Sequence, residues 1–173
     1  MNLLFIINGN DHNLFIVLKT NLSEILIMGI VVNRATSDKE KDICISIRRK
    51  VFIQEQRINE KIEMDDSKFE TTSFIALLND NYVGTARCRN TEIGVKLERF
   101  AVLKSHRGLG VGKSLLMFMI KYLQKEKHIY LHAQKDVIEF YSKFGFCSMG
   151  EMFNEAEIPH QKMVYTKYLK DLT

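Results

Sequence analysis

Three glycines in alternation mark the segment of this chain that most clearly carries chemistry. The segment reads His106-Arg107-Gly108-Leu109-Gly110-Val111-Gly112-Lys113. It joins a strand-like stretch at residues 97–104 to a helix-like stretch at residues 113–127. Because glycine has no side chain, backbone N–H groups in such a loop can approach a phosphate closely, and the N-terminus of the following helix favours negative charge. The pattern predicts a binding site for a pyrophosphate group.

Spacing separates this loop from two common nucleotide-binding motifs. A Walker A loop ends as Gly112-Lys113-Ser114 does, but its first glycine would fall on Arg107. The dinucleotide fingerprint Gly-x-Gly-x-x-Gly also differs, since these glycines run Gly-x-Gly-x-Gly and no βαβ unit with an acidic residue about 20 positions on is evident. A P-loop protein that binds ATP is therefore a weaker alternative. A glycine-rich helix start beside an exposed Arg107 is the alternative without a ligand.

A second motif lies about 30 residues downstream and reads Phe140-Tyr141-Ser142-Lys143-Phe144-Gly145-Phe146. In this order, the two motifs resemble the coenzyme A signature Arg-x-x-Gly-x-Gly and its companion Phe-Tyr-x-Lys-x-Gly-Phe in the GNAT superfamily of acetyl-CoA-dependent N-acetyltransferases. Residues 48–56 and 158–163 are similar to the small ElaA-like branch, and the resemblance covers roughly residues 30 to 168. It implies an α+β fold whose mixed, mostly antiparallel sheet splays open at the cofactor strand and carries helices on both faces.

The resemblance assigns the cofactor, acetyl-CoA, to particular parts of the chain. The main chain of residues 100–102 would bond the pantetheine amides, and backbone N–H groups of residues 109–113 would converge on the pyrophosphate. The implied cofactor-binding residues are Phe100, Ala101, Val102, Arg107, Gly108, Leu109, Gly110, Val111, Gly112, Lys113, Gln134, Tyr141 and Lys143.

Three catalytic roles in direct acetyl transfer are predicted, those of Val102 and Tyr141 from the resemblance and that of Glu98 from its place on the cofactor strand. The N–H of Val102 would polarise the acetyl carbonyl, and such backbone donors contribute about 3 kcal/mol each. The Tyr141 phenol would donate a proton to the departing thiolate, the alternative being a packed core tyrosine. Glu98, on the cofactor strand, is the candidate base that takes the proton of the amine, the alternative being an exposed strand charge.

Charged residues indicate where the acceptor amine binds. By resemblance, the acidic segment at residues 60–66 and the loop at residues 157–160 border the acceptor side. The predicted substrate-binding residues are Asp65, Arg89, Glu98, Arg99 and His160. Arg87 and Lys135 add positive charge for an anionic group, which favours a small amine such as glucosamine 6-phosphate. The cofactor strand departs from the eukaryotic glucosamine-phosphate acetyltransferase pattern, so a polyamine, a protein amine, or a non-catalytic acyl-CoA-binding module stays open.

Composition bounds the class of protein. A chain of 173 residues fits one domain that buries roughly two thirds of its unfolded surface. Three widely spaced cysteines predict neither disulfides nor a zinc site, and they favour a cytoplasmic location. The net charge of +4 suits an anionic ligand but not a nucleic-acid partner. No apolar run reaches the roughly 20 residues of a membrane span. His128 and His132 lack a third ligand, so no metal is expected.

The domain organisation is predicted to be simple. We interpret residues 1–22 as an N-terminal extension with a hairpin turning at Asn8-Gly9, and residues 23–173 as a single N-acetyltransferase domain. Strand edges in the extension and in the late strands, together with family precedent, favour a homodimer.

The elements that must position these residues follow the order βαβββαβαββ. The first helix is predicted to begin at a capping box, Ser37 to Glu40, and to present Ile43, Ile47 and Val51 on one apolar face. A hairpin turn is predicted at residues 79–81. The remaining elements are predicted as a strand at 25–34, strands at 74–78, 82–89 and 96–104, a helix from 113, a strand at 129–132, a helix at 136–143, and strands at 145–149 and 162–169.

Overall fold

The computed structural model describes the backbone of residues 3–7, 14–20 and 24–28, and the backbone and side chains of residues 29–65 and 68–166. The chain divides into two compact units. Unit 1 consists of Met1–Arg57, Thr72–Ala86 and Arg99–Tyr122, and unit 2 consists of Ile58–Thr71, Arg87–Glu98 and Leu123–Thr173.

The principal sheet has eight strands and is mixed. Its order is β10-β11-β8-β7-β6-β5-β4, and β9 pairs separately with β11. Only the β7–β8 pair among the described registers is parallel, with Val95 opposite Ile129 and Leu97 opposite Leu131. The strands are β4 (Ile30–Arg34), β5 (Thr71–Leu78), β6 (Asn81–Thr91), β7 (Gly94–Val102), β8 (Ile129–Gln134), β9 (Phe146–Ser148), β10 (Phe153–Glu155) and β11 (Ile158–Tyr165). This mixed sheet confirms the predicted α+β class.

A separate three-stranded antiparallel sheet precedes it. Its strands are β1 (Leu3–Ile7), β2 (Leu14–Thr20) and β3 (Glu24–Met28), in that order. The β1–β2 register, with Ile7 opposite Leu14, confirms the predicted hairpin pairing, while the turn at Asn8-Gly9 lies outside the described residues. The single strand predicted at 25–34 is two strands that join different sheets. The domain boundary after residue 22 stays a prediction.

Helix α1 (Asp38–Arg48) begins where the sequence predicts. The Ser37 hydroxyl accepts a hydrogen bond from the Glu40 N–H, and the Glu40 carboxylate accepts one from the Ser37 N–H, which confirms the capping box. These hydrogen bonds lower the pKa of Glu40. The chain then widens into a π-helix (Arg49–Glu55), and a short helix α2 (Glu60–Glu63) follows.

Helices lie on both faces of the sheet within unit 1. Phe74 on β5 packs edge-on against Phe118 and Tyr122 of helix α3 (Val111–Tyr122). Its neighbour Ile75 belongs to a buried cluster with Cys44 of α1. Because successive strand residues point to opposite faces, α1 and α3 cover opposite sides of β5.

Unit 2 contains the short helix α4 (Ile138–Ser142), preceded by one 3-10 turn (Lys135–Val137). Tyr141 on α4 packs against Phe146 of β9, which in turn contacts Tyr165 of β11. The connection between α4 and β9 needs a left-handed residue, and Gly145 supplies it with φ of 87°. The order of elements matches the prediction from the first helix onward, except that the π-helix, α2 and the short strand β10 are additional.

Candidate functional site

The glycine loop of unit 1 has the backbone that phosphate binding requires. Gly108 and Gly110 have φ of 78° and 89°, in the left-handed region that other residues adopt only with strain. A side chain at Gly108 would meet no atom within 4 Å, so the backbone there is open for close approach by a ligand. The Ser114 N–H donates to the Gly110 carbonyl at 2.9 Å, which makes Gly110 the first acceptor of α3.

The first turn of α3 presents a ready anion site. α3 begins at Val111, so the backbone N–H groups of its first turn point out of the N-terminal end of the helix, where the helix dipole adds partial positive charge. The sequence predicted the helix from Lys113, and the structure begins it at Val111. The loop thus fits a pyrophosphate through its backbone, as a coenzyme A site requires.

The side chain of Arg107 is engaged within unit 1. Its Nη1 and Nη2 donate to the two carboxylate oxygens of Glu55 at 2.6 and 2.7 Å, and its Nε donates to the Val102 carbonyl at 3.1 Å. The hydrogen bonds between them raise the pKa of Arg107 and lower that of Glu55. The sequence identified Arg107 only as a positive charge for the pyrophosphate. Its structural partners are a carboxylate and the strand end.

The cofactor strand ends in residues 100–102 of unit 1. Ala101 is buried, whereas Phe100 and Val102 are half-buried. Arg99, just before them, has φ of 58°, which interrupts the extended backbone between Glu98 and Phe100. The regular alternation of side chains between the two faces of a strand is therefore broken at Arg99.

Unit 2 buries a cluster of charged side chains. Arg87 is 1% exposed and donates to Glu98 Oε1 through Nε at 2.8 Å and to Asp65 Oδ1 through Nη2 at 2.7 Å. Arg89 Nε lies 3.2 Å from Glu98 Oε1, and its guanidinium stacks 4.2 Å above the Phe69 ring. Three predicted substrate-binding residues, Asp65, Arg89 and Glu98, thus meet around Arg87.

The cluster continues along β7 to β10. Lys96 Nζ lies 3.7 Å from Glu98 Oε2 and 3.8 Å from Glu155 Oε1. His132 Nδ1 donates to Glu155 Oε2 at 2.8 Å. This hydrogen bond, with the charge of Lys96, outweighs desolvation and lowers the pKa of Glu155 from 4.5 to about 2.

His160 has a defined tautomer when neutral. Its Nδ1 donates to the Ile158 carbonyl at 2.7 Å, because a carbonyl can only accept. The ring stacks on Phe153, with 6.1 Å between centroids and 25° between planes. Nε2 is therefore the nitrogen that carries the lone pair and can accept a proton or a hydrogen bond.

The companion motif forms α4 of unit 2. Tyr141 is buried, and desolvation raises the pKa of its phenol, which keeps the hydroxyl protonated. Lys143 Nζ pairs with Glu139 at 2.7 Å on the exposed side, and this pair lowers the pKa of Glu139. Gln134 is the last residue of β8. The cofactor roles of Gln134 and Lys143 stay predictions.

The described residues offer neither a metal site nor a membrane-spanning helix. Among the described residues, no group of three or more His, Cys, Asp or Glu side chains is placed to hold a metal ion. None of the helices in the described part of the chain has the length and hydropathy needed to cross a membrane.

Residues 35–167 match the family model described as the acetyltransferase (GNAT) domain. The match spans more than half of the chain, and it includes both the glycine loop and the companion motif. The chain belongs to the GNAT acetyltransferase family. It is accordingly an acetyl-CoA-dependent N-acetyltransferase, which decides between the enzyme and the P-loop alternative that the glycine spacing left open.

Similar proteins place this GNAT chain among small acetyltransferases. It is 31% identical over 133 residues to an uncharacterized N-acetyltransferase, YjcF of Bacillus subtilis, covering 75% of this chain and 95% of the relative. The crystal structure of Escherichia coli ElaA is similar, with a TM-score of 0.67 and 25% identity over 79% of this chain and 98% of that one. Arabidopsis thaliana Naa50, in complex with the bisubstrate analogue CoA-Ac-MVNAL, is also similar, with a TM-score of 0.58 and 27% identity over 78% of this chain and 97% of that one.

Several charged residues with specific partners were absent from the sequence prediction. One of them is Glu55 in unit 1, which lies in the stretch at residues 48–56 that resembles ElaA-like proteins. The others are the charged residues Lys96 and Glu155 in unit 2. His132 was considered only as a metal ligand, and its partner is a carboxylate. Lys96 and Glu98 are two residues apart on β7, but the pairs Glu55–Arg107, Lys96–Glu155 and His132–Glu155 join elements far apart in sequence, so spacing does not indicate them.

Proposed function

We propose that this GNAT enzyme transfers the acetyl group of acetyl-CoA directly to the primary amine of a small acceptor that also carries an anionic group. The observation that supports the donor half is the glycine loop, whose left-handed Gly108 and Gly110 open onto the start of α3. Acetyl-CoA supplies the activated acetyl group. The residues 100–102, the loop residues 107–113 and Gln134, Tyr141 and Lys143 are the proposed contacts to it.

Each residue proposed for catalysis either moves a proton or stabilises the charge that develops during acetyl transfer. Attack by the amine nitrogen forms the C–N bond while the C–S bond breaks. The Val102 N–H stabilises negative charge on the carbonyl oxygen, Glu98 takes the proton released by the amine, and Tyr141 provides the proton that the thiolate needs. The raised pKa of Tyr141 supports a residue that holds its proton until it is required.

The proposal that the acceptor carries an anionic group rests on Arg89. Arg87 is fully buried and already bound to two carboxylates, so it serves the architecture of unit 2. Arg89 is more exposed, and because its Nε is buried 3.2 Å from Glu98 Oε1, the terminal amino groups of its guanidinium are the proposed donors to the acceptor. A guanidinium fork of this kind suits a phosphate. Glucosamine 6-phosphate combines the amine and the phosphate and is the first acceptor to test.

A second acceptor class has its own support. The Naa50 structure holds an analogue in which coenzyme A is joined through acetyl to a peptide. Asp65 and Glu155 are carboxylates that could hold a cationic acceptor such as a polyamine or a peptide amine.

The deciding experiment measures coenzyme A release with matched acceptors. Glucosamine 6-phosphate and glucosamine differ only in the phosphate, and spermidine and a peptide with a free N-terminus represent the second class. We expect glucosamine 6-phosphate to be the better substrate of the pair, and Arg89→Gln to lower the ratio of its kcat/KM to that of glucosamine. Turnover of spermidine or the peptide alone would replace the proposed acceptor, and no release with any amine would reject the acceptor proposal.

A further inference from the structure

Glu55 makes the most specific polar contact in unit 1 that the proposed chemistry does not use. Both of its carboxylate oxygens accept from Arg107, at 2.6 and 2.7 Å, in a two-pronged pair. Such a pair fixes the plane of the guanidinium and therefore the direction in which Nε–H points. That third N–H is the one that donates to the Val102 carbonyl at 3.1 Å.

The peptide group between Val102 and Leu103 is consequently held from both sides. Its carbonyl accepts from Arg107 Nε, and its N–H donates to the Val83 carbonyl at 2.9 Å. Because a peptide group is planar, these two hydrogen bonds set the backbone orientation at the end of β7. Val102 is the residue whose own N–H is proposed to stabilise the developing oxyanion.

Glu55 reaches Arg107 because of an unusual helix. The π-helix Arg49–Glu55 is anchored by the buried side chains of Val51 and Phe52. It closes with a bond from the Gln56 N–H to the Val51 carbonyl five residues earlier, at 3.1 Å. A wider turn gives Glu55 a direction that an α-helix through the same residues would not give it, and π-helical turns are frequent at functional sites.

We propose that Glu55 is a positioning residue for acetyl transfer, acting through Arg107 on the backbone at Val102. This inference rests on the proposed role of the Val102 N–H. It differs from the simpler view that Arg107 exists to attract phosphate, since Glu55 compensates the charge of Arg107. Glu55 accepts from two of the five guanidinium N–H groups and the Val102 carbonyl from a third, which leaves two for a ligand.

The inference predicts a split between rate and affinity. Glu55→Gln keeps the size of the side chain but replaces one acceptor oxygen by an amide that cannot accept. Without that acceptor, the guanidinium plane of Arg107 is no longer fixed. The Val102 N–H is then displaced from the position where it would stabilise the oxyanion, but it is not removed. We expect kcat to fall about tenfold, part of the loss seen when such a donor is deleted, with KM for acetyl-CoA changed less than about twofold.

A double-mutant cycle and one spectroscopic measurement test it. Glu55→Gln, Arg107→Lys and the double variant are compared, with Asp38→Asn as the matched control because it removes an exposed ion pair, Asp38 with Lys41, on α1. We expect the double variant to be no slower than Arg107→Lys alone, since Glu55 acts only through Arg107. Asp38→Asn is expected to match the wild type, and thermal midpoints establish that all four variants fold.

The carbonyl carbon resonance of enzyme-bound [1-¹³C]acetyl-CoA reports polarisation without any acceptor amine. We expect Glu55→Gln to move this resonance toward its position in free acetyl-CoA. Additive effects on kcat, or a lower KM for acetyl-CoA with an unchanged kcat and resonance, would overturn the inference and make Glu55 a competitor of phosphate. If the proposed acceptor is wrong, the wild type would be inactive with it, but the carbonyl resonance of bound acetyl-CoA would still differ from that of free acetyl-CoA.

Discussion

Gly84 on β6 touches the first residue of α3 so closely that a Cβ atom at Gly84 would lie 2.8 Å from Val111 Cγ1. The same atom would also lie 3.3 Å from the Ala101 carbonyl oxygen on the cofactor strand. The missing side chain at residue 84 therefore sets how near the glycine loop and its helix come to the sheet in unit 1.

The first prediction concerns this contact. Gly84→Ala is expected to reduce the free energy of unfolding by about 1–3 kcal/mol, the usual cost of overpacking a filled core, because Val111 and the strand carbonyl leave no room. Urea unfolding measures it. Val111→Ala should partly relieve the clash, so the double variant is expected to lose less stability than the sum of the two single variants. A simple sum would mean that Gly84 and Val111 are not in steric contact.

The second prediction separates backbone strain from ligand binding. Gly108 and Gly150 both have positive φ, 78° and 72°, and both have open space where a Cβ would stand. Alanine at either position should cost about 1–2 kcal/mol of stability because of the left-handed backbone. Only Gly108→Ala should also weaken acetyl-CoA binding, by about tenfold, as its methyl group obstructs close approach to phosphate. Calorimetric titration of the two variants with acetyl-CoA is the measurement, and equal affinities would refute the phosphate role of Gly108.

Local signals in the sequence account for much of the observed fold. The capping box at Ser37 and Glu40 and the apolar face that buries Ile47 and Val51 were both read from short-range spacing. The hairpin turn at Asn79 and Asp80 has both residues at positive φ, as such two-residue turns require. These features are set by neighbouring residues, so a single sequence is sufficient to predict them.

Contacts between distant segments account for what was not predicted. The last strand was predicted from residue 162, yet β11 begins at Ile158 and includes Pro159, which cannot donate to a ladder. Pro159 is tolerated because it pairs only with Asn154 of the three-residue β10, and pairing with β8 starts at His160. Lys96 is buried in the middle of a strand only because Glu98 and Glu155 accompany it.

The third prediction tests the proton donor. Tyr141→Phe should lower kcat about a hundredfold if the phenol protonates the leaving thiolate, with little change in KM for acetyl-CoA. Because burial raises the pKa of Tyr141, kcat should show no loss from its ionisation up to about pH 10. Tyr122→Phe, which removes an exposed hydroxyl from α3, is the control. If Tyr141→Phe retains full kcat and only its melting temperature drops, Tyr141 is a core residue.

The fourth prediction follows from the lowered pKa of Glu155. A carboxyl whose pKa falls from 4.5 to about 2 on folding stabilises the native state above pH 4.5, and that contribution is lost between pH 4.5 and 2. The stability difference between the wild type and Glu155→Gln should therefore shrink over this range. Glu139→Gln, which breaks an exposed pair with Lys143, should show a small difference throughout. Urea unfolding at successive pH values from 6 to 2.5 provides the comparison, and parallel curves for wild type and Glu155→Gln would count against the His132–Glu155 pair.

Strand β4 has a practical consequence for anyone who shortens this protein. The family match starts at residue 35, one position after β4 ends, although Ile30 and Val32 of that strand are at most 2% exposed. β4 pairs with β5 from Ile30 opposite Leu78 to Arg34 opposite Phe74. Cutting the gene at the homology boundary would uncover that row of main-chain donors and acceptors and invite aggregation by strand addition. The hydrogen-bond ladder, rather than sequence similarity, marks where a shortened version of this enzyme must begin.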